Sequence, residues 1–347
     1  MKTAVQQIMF GSCLKDETQA LNVLQTLKSA GYSGIELNGF MLQKTPPFVR
    51  ALTKIAGMPT GKCAQFDWVS LVREANLEVT AIHVDLDTIE RDIDAVVLAT
   101  RLFKTQNIVV SGMYKFDYTN VDKVMRLCER LNAAGEKLEK IGIHLLYHNH
   151  NAEFSHYYRV REIGAPECEI AGAETSAQSA GVPECETAGT GEPNIETADR
   201  ANGSQTPVAA TRATSLALNS QPAPAFNAYK CLIQNTNPAL VNFEFDAYWT
   251  ADAGVNPLDI IDALGCRLKL LHITDRGTRT KRAFTPIVKQ TSVELGQGNL
   301  NIPEILDATQ QQKCETVILE THKSWINNNP VKSAQISAEY LNKLEIS

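Results

Sequence analysis

IHLLYHNHNAEF, residues 143–154, sets a short apolar run directly against a knot of imidazoles and amides. Ile143–Tyr147 has the length and composition of a buried strand, and His148, Asn149 and His150 follow it without a spacer. A strand that ends in ionisable groups is expected where parallel strands deliver reactive side chains at their C-terminal ends. The fold therefore turns on how often this pattern recurs.

It recurs along the whole chain. Apolar runs are read as strands at Val5–Phe10, Gly34–Leu37, Val79–Val84, Asn107–Val110, Ile143–Tyr147, Leu240–Phe245, Leu268–Ile273 and Thr316–Leu319. Amphipathic stretches between them carry helix start signals, with Asp67, Asn120 and Asn256 at N-cap positions and Pro257 at a first helical position. Gly31, Gly142 and Gly265 fall where helices should stop. Pro330–Leu344 reads as a closing helix, with Val331, Ile336, Tyr340 and Leu341 as its apolar face. Eight strands alternating with helices predict an α/β fold, a single (β/α)8 TIM barrel. A doubly wound open sheet is the other α/β solution, but GSCLKD after the first strand lacks the glycine pattern of a phosphate-binding turn.

One stretch stands outside this pattern. Residues 165–225 contain no aromatic residue and no lysine, and are dominated by Ala, Gly, Ser, Thr, Pro and Glu. They are expected to form a disordered low-complexity insertion after the fifth strand, with the barrel built from 1–164 and 226–347. PECEIAGAET and PECETAGTGE within it resemble a short duplicated unit. The insertion holds eight acids and two bases, which accounts for the whole formal net charge of −6 in the 347 residues and leaves the rest neutral. A neutral body without basic runs argues against nucleic acid as a partner. No segment is long and apolar enough to span a membrane or act as a signal peptide, and the eight scattered cysteines show no metal-finger spacing, so a cytoplasmic protein is expected.

The strand ends carry the chemistry. Glu36, His83, the His148–His150 cluster, Glu244 with Asp246, His272 with Asp275, and Glu320 close the second, third, fifth, sixth, seventh and eighth runs. Side chains two apart share a strand face, so Glu244 goes with Asp246, Leu270 with His272, and Leu146 with His148. If His148, Asp246, His272 and Glu320 all point inward, they form a mixed nitrogen and oxygen cage suited to a divalent ion, Mn²⁺, Co²⁺, Zn²⁺ or, less well, Mg²⁺.

YHNHNAEF from Tyr147, NFEFDAYW from Asn242, LLHITD from Leu270, ELGQGNLNIPEIL from Glu294 and VILETH from Val317 together resemble the sugar phosphate isomerase/epimerase family, within the xylose-isomerase-like barrels. The resemblance implies a metal held from strands five to eight, with three roles falling on Asp246, His272 and Glu320. The remaining role falls on His148, where many relatives carry Glu, and it leaves open whether His148 or His150 is the ligand. The implied reaction is isomerisation or epimerisation of a sugar, sugar phosphate or polyol by removal of a proton next to a carbonyl. His150 or Glu320 would act as base, while Glu36, His83, Glu244 and Asp275 would orient substrate hydroxyls and Trp249 would lie against the sugar. Glu294 would order the mouth. A lyase of dehydratase or 3-oxo-glycoside type, a nuclease and a non-catalytic sugar-binding barrel are the competing readings. The expected partner is a small carbohydrate, with self-association left open.

Overall fold

The structure, a computed structural model, describes residues 1–42, 66–113, 115–155, 226–280 and 287–345. The insertion expected over residues 165–225 lies outside the described residues. The remainder closes as expected. Strands β1 (Lys2–Gln6), β2 (Gly34–Asn38), β3 (Glu78–His83), β4 (Asn107–Ser111), β5 (His144–His148), β6 (Val241–Asp246), β7 (Leu268–Ile273) and β10 (Thr316–Leu319) pair in parallel, each with its neighbour in the series, and β10 pairs back onto β1. This is a (β/α)8 barrel, and the open-sheet alternative is excluded by that closing ladder, Lys2 opposite Thr316 through Val5 opposite Leu319. No described helix is long and apolar enough to cross a membrane.

The helices begin where the sequence signals them. Asp67 Oδ1 accepts from Ser70 N at 3.0 Å and Asn120 Oδ1 from Lys123 N at 3.0 Å, each satisfying an orphan donor of the first turn. Asn256 accepts from Leu258 N at 3.2 Å, ahead of Pro257 at the first helical position. Gly31 closes the helix Glu17–Ala30 with φ +117°, a region where a side chain would be strained.

Three expectations need correction. The first strand stops at Gln6 rather than running to Phe10, because the Gln6 side chain accepts from Ile8 N at 3.0 Å and turns Gln7–Phe10 into a 3₁₀ turn. The closing helix, Pro330–Lys343, buries Ser333, Ala334, Ser337, Ala338 and Leu341, leaving Val331, Ile336 and Tyr340 at the margin. Small residues let it approach closely enough for Ser333 Oγ to reach Glu294 at 2.7 Å. An antiparallel hairpin, β8 (Asp275–Thr278) with β9 (Gln290–Val293), also follows β7, with no counterpart in the sequence reading.

The barrel interior explains where the site lies. Ala4, Ala81, Val109, Leu146, Leu270 and Ile318 form a buried cluster separate from the larger core between strands and helices. They are the inward-facing residues of their strands. Two positions further along each strand, on the same face, come Gln6, His83, Ser111, His148, His272 and Glu320. A polar tier thus rests directly on an apolar plug, at the C-terminal end where such barrels place their sites.

Candidate metal and substrate site

The inward tier brings together nearly every residue picked out at the strand ends. Ligand atoms of His148, Asp246, His272 and Glu320 lie within 4.8 Å of one another, and those of Glu36, His83, Glu244 and His272 form a second such group. His272 belongs to both. Its Nδ1 lies 2.8 Å from Glu320 Oε2 and 4.0 Å from Asp246 Oδ2, while its Nε2 lies 2.6 Å from Glu36 Oε2 and 3.3 Å from Glu244 Oε2.

Backbone context fixes several of these groups. Asp246 caps the helix Ala247–Asp252 through Oδ1, accepting from Trp249 N at 2.8 Å, and this leaves Oδ2 for the cluster. Asn149 holds the same corner, accepting from Asp246 N at 3.0 Å and donating to Asp246 O at 3.2 Å. Gln6 Nε2 donates to Glu36 Oε2 at 3.0 Å, and Ser111 Oγ lies 2.8 Å from His83 Nδ1, fixing that ring. Gln6 and Ser111 escaped the sequence reading, although strand parity places them on the site face, and Asn149 entered it only as part of the strand-end cluster.

Charge is arranged unevenly across the tier. Burial disfavours the cation at His83, but Glu36 and Glu244 outweigh it and push the ring up to about 10. His272 is raised well above the usual range against burial, by Glu244 and Glu36. Burial drives His148 down and His150 down to about 3, so both rings stay neutral. Burial raises Asp246 well above the usual carboxylate range. For Glu320 burial is outweighed by His322 and His272, which hold the carboxyl well below that range. A cation entering this pocket would compete with protons on His83, His272 and Asp246.

The residues expected to touch substrate divide into two sets. Glu36, His83 and Glu244 lie in the second ligand group rather than in the open mouth, and Glu36 and Glu244 are fully buried. Trp249 stands at the rim, its ring 4.7 Å from His322 and 5.9 Å from His150. Its Nε1 is buried without a partner, as is His322 Nε2. His322 was not singled out from sequence, although it follows Glu320 at the spacing that keeps a strand face.

His150 lies beyond the strand end and joins neither ligand group; its ring is 5.1 Å from that of His148. Behind it, His150 N donates to Glu153 Oε2 at 3.2 Å, and Tyr147 OH donates to Glu153 Oε1 at 2.9 Å. Burial raises Glu153 to about 7. Gly112 is required here, because a Cβ at that position would overlap Glu153 Oε1.

Asp275 is placed elsewhere. Its Oδ2 accepts from Gly296 N at 3.1 Å and Gly298 N at 2.8 Å, and its Oδ1 from Leu300 N at 3.1 Å and Arg276 N at 2.8 Å. With both oxygens engaged by backbone, it pins the glycine loop instead of presenting a carboxylate to a ligand. Glu294 likewise serves as a clamp, accepting from Ile326 N at 2.9 Å and Ser333 Oγ at 2.7 Å and pairing with Arg279.

Solved structures share this fold. A sugar phosphate isomerase/epimerase from Parabacteroides distasonis superposes with a TM-score of 0.61 at 19% identity, covering 98% of this chain and 93% of that one. The fold is that of the sugar phosphate isomerase/epimerase barrels. A probable 3-DHS dehydratase, AsbF from Bacillus anthracis, gives 0.56 at 13% identity, over 99% of each chain. The IOLI protein, solved with a zinc atom, gives 0.56 at 10% identity, over 99% of this chain and 98% of that one. No protein-family model matches the sequence, and neither does any curated protein.

Proposed function

We propose that this chain is a metal-dependent isomerase or epimerase that acts on a sugar, sugar phosphate or related polyol by removing a proton from the carbon next to a carbonyl. The observation that carries this reading is the group His148, Asp246, His272 and Glu320 at the C-terminal mouth of the barrel. Two imidazoles and two carboxylates suit a borderline divalent ion, Zn²⁺, Co²⁺ or Mn²⁺, better than Mg²⁺. The residues fit such an ion: Asp246 Oδ2 is free of the helix cap, and the His148 ring lies 4.6 Å from that of His272. When bound, the ion supplies Lewis acidity to neighbouring substrate oxygens.

The protein's own groups then take separate tasks. Glu320 belongs to the ligand group and lies 2.8 Å from His272 Nδ1, so its role is ligation. His150 has a neutral ring free to accept a proton, beside the Trp249 and His322 rings that form an aromatic rim. An aromatic face next to proton-accepting nitrogens suits a ring with one apolar C–H face and several hydroxyls. The likeness to a probable dehydratase supports a second reading, a lyase in which loss of a β-substituent follows the same proton removal.

The test joins two measurements on protein purified without chelator. Metal analysis is paired with incubation of ketoses, inososes and 3-oxo-glycosides in D₂O. Deuterium uptake at the carbon next to the carbonyl, abolished by chelation and restored by Mn²⁺, Co²⁺ or Zn²⁺, is the expected result. Net conversion to an epimer supports isomerisation, and loss of water or an alkoxide supports the lyase. Absence of uptake from every class by metal-loaded protein refutes proton abstraction.

A further inference from the structure

The second ligand group, the inner one, takes Glu244 from two residues before Asp246 on β6, opposite Leu270 of the apolar plug. Glu244 Oε2 is approached by three ring nitrogens, His83 Nε2 at 3.0 Å, His148 Nδ1 at 3.1 Å and His272 Nε2 at 3.3 Å. Glu36 Oε2 adds contacts to His272 Nε2 at 2.6 Å and His83 Nε2 at 3.1 Å. Even so, both Glu244 oxygens, Glu36 Oε1 and His83 Nε2 are buried with no partner that meets hydrogen-bond geometry. Carboxylates and imidazoles buried this completely are normally paired throughout. Here they converge on a point instead.

The separations fit an ion. Four ligands about 2.1 Å from a tetrahedral Zn²⁺ or Co²⁺ stand about 3.4 Å apart. Three of the four oxygen–nitrogen separations between Glu36 or Glu244 and His83 or His272 fall between 3.0 and 3.3 Å and need open by only a few tenths of an ångström, while the fourth, His272 Nε2 to Glu36 Oε2 at 2.6 Å, must open by about 0.8 Å. Two carboxylates and two imidazoles complete a tetrahedral shell here, and the outer group offers the same four-ligand set beside the His150 and Trp249 rings.

We infer that the barrel mouth is a two-ion centre, with a second divalent transition ion held by Glu36, His83, Glu244 and His272, and with the His272 ring bridging the two positions. The opposite nitrogens of His272 already face the two groups. Glu36, His83, Glu244 and His272 would hold the inner ion, and every proton that ligation displaces, from His83 Nε2 as well as from His272 Nε2, would leave to bulk water. The inference rests on the proposed function for its outer ion alone.

The test is metal stoichiometry in the full-length chain, loaded with Zn²⁺ or Co²⁺, freed of excess ion and assayed by plasma mass spectrometry. The expected result is about two ions per chain. His83→Gln and Glu36→Gln each lower it to about one by weakening the inner position at least ~10-fold, Asp246→Asn lowers it to about one at the outer position, and His272→Gln weakens both. Cu²⁺ loaded in both positions should show magnetic coupling through the ring, lost in His83→Gln. Glu36→Gln conserves shape should His83→Gln fail to fold, and the wild-type count stands without any variant. One ion per chain, lost from Asp246→Asn and kept by His83→Gln, overturns the inner position while leaving the proposed function intact. Two ions indifferent to both inner-site variants also overturn it, and no ion at all removes both readings together.

Discussion

Asp275→Asn separates a loop pin from a substrate ligand. The wild-type carboxylate accepts four backbone N–H groups, two on each oxygen, and is 1% exposed. An asparagine keeps one acceptor oxygen and turns an NH₂ toward the other donor pair. If the oxygen stays on Leu300 and Arg276, Gly296 N and Gly298 N lose their acceptor. Each buried donor left without a partner costs about 1–3 kcal/mol, so the substitution should destabilise by ~3 kcal/mol or more. Relaxation has little room, because a Cβ at Gly298 would already overlap the Asp275 carboxylate and the Arg276 carbonyl. At about 2 °C per kcal/mol for a chain of this size, the thermal midpoint should fall by at least ~6 °C. Calorimetry at constant metal content checks this. A variant that keeps its midpoint within ~1 °C but loses substrate affinity would return Asp275 to the substrate and refute the loop-pin reasoning.

Three further outcomes follow from the same geometry. For Glu294, burial is outweighed by Arg279 and the Ile326 and Ser333 donors, which hold the carboxyl at about 2. A depressed carboxylate contributes stability above its unfolded value of about 4.5 that is lost as pH falls toward about 2; Glu294→Gln should therefore flatten urea midpoints across that window, and an unchanged slope would sink the clamp. Asp246→Asn keeps the helix-capping oxygen but removes the ligand charge, so metal content should drop while the midpoint in chelator stays within ~1 kcal/mol of wild type; full metal occupancy refutes ligation. His150→Gln should retain metal yet lower turnover by a factor of about 10² to 10⁴, and metal loss would instead make His150 a ligand.

Much of the site was legible because a barrel strand has only two faces. Once Leu146, Leu270 and Ile318 are read as inward, His148, His272 and Glu320 must follow them. Glu36, His83 and Asp246 come from the same argument applied to other strands. Asp275 was picked out as a strand end without the parity test, which pairs it with Ile273 of the outer core rather than with His272, and it belongs to the hairpin that starts there. Nothing in its neighbours announces that turn; its partners come from Gly296, Gly298 and Leu300, and only the folded loop brings them near. Gln6 and Ser111 were missed, and Asn149 was named without a role, for a different reason. Their amides and hydroxyl do no acid–base work themselves, so a search for ionisable strand ends passes over groups that hold others in place.

The division of labour within the tier turns on β6 and β7. The ladder shifts between Phe243 and Glu244, after which Glu244 stands opposite Leu270 and Asp246 opposite His272. Because Leu270 and His272 face the interior, β6 sends two carboxylates inward in succession, one into each ligand group. His272 reaches between them, its Nδ1 toward Asp246 and Glu320 and its Nε2 toward Glu36 and Glu244. A one-residue slip of β6 against β7 would turn both carboxylates outward and leave the imidazole without either set. The register that closes the barrel is therefore also what assembles the site, so changes that loosen the β6–β7 ladder should weaken metal binding before they unfold the barrel.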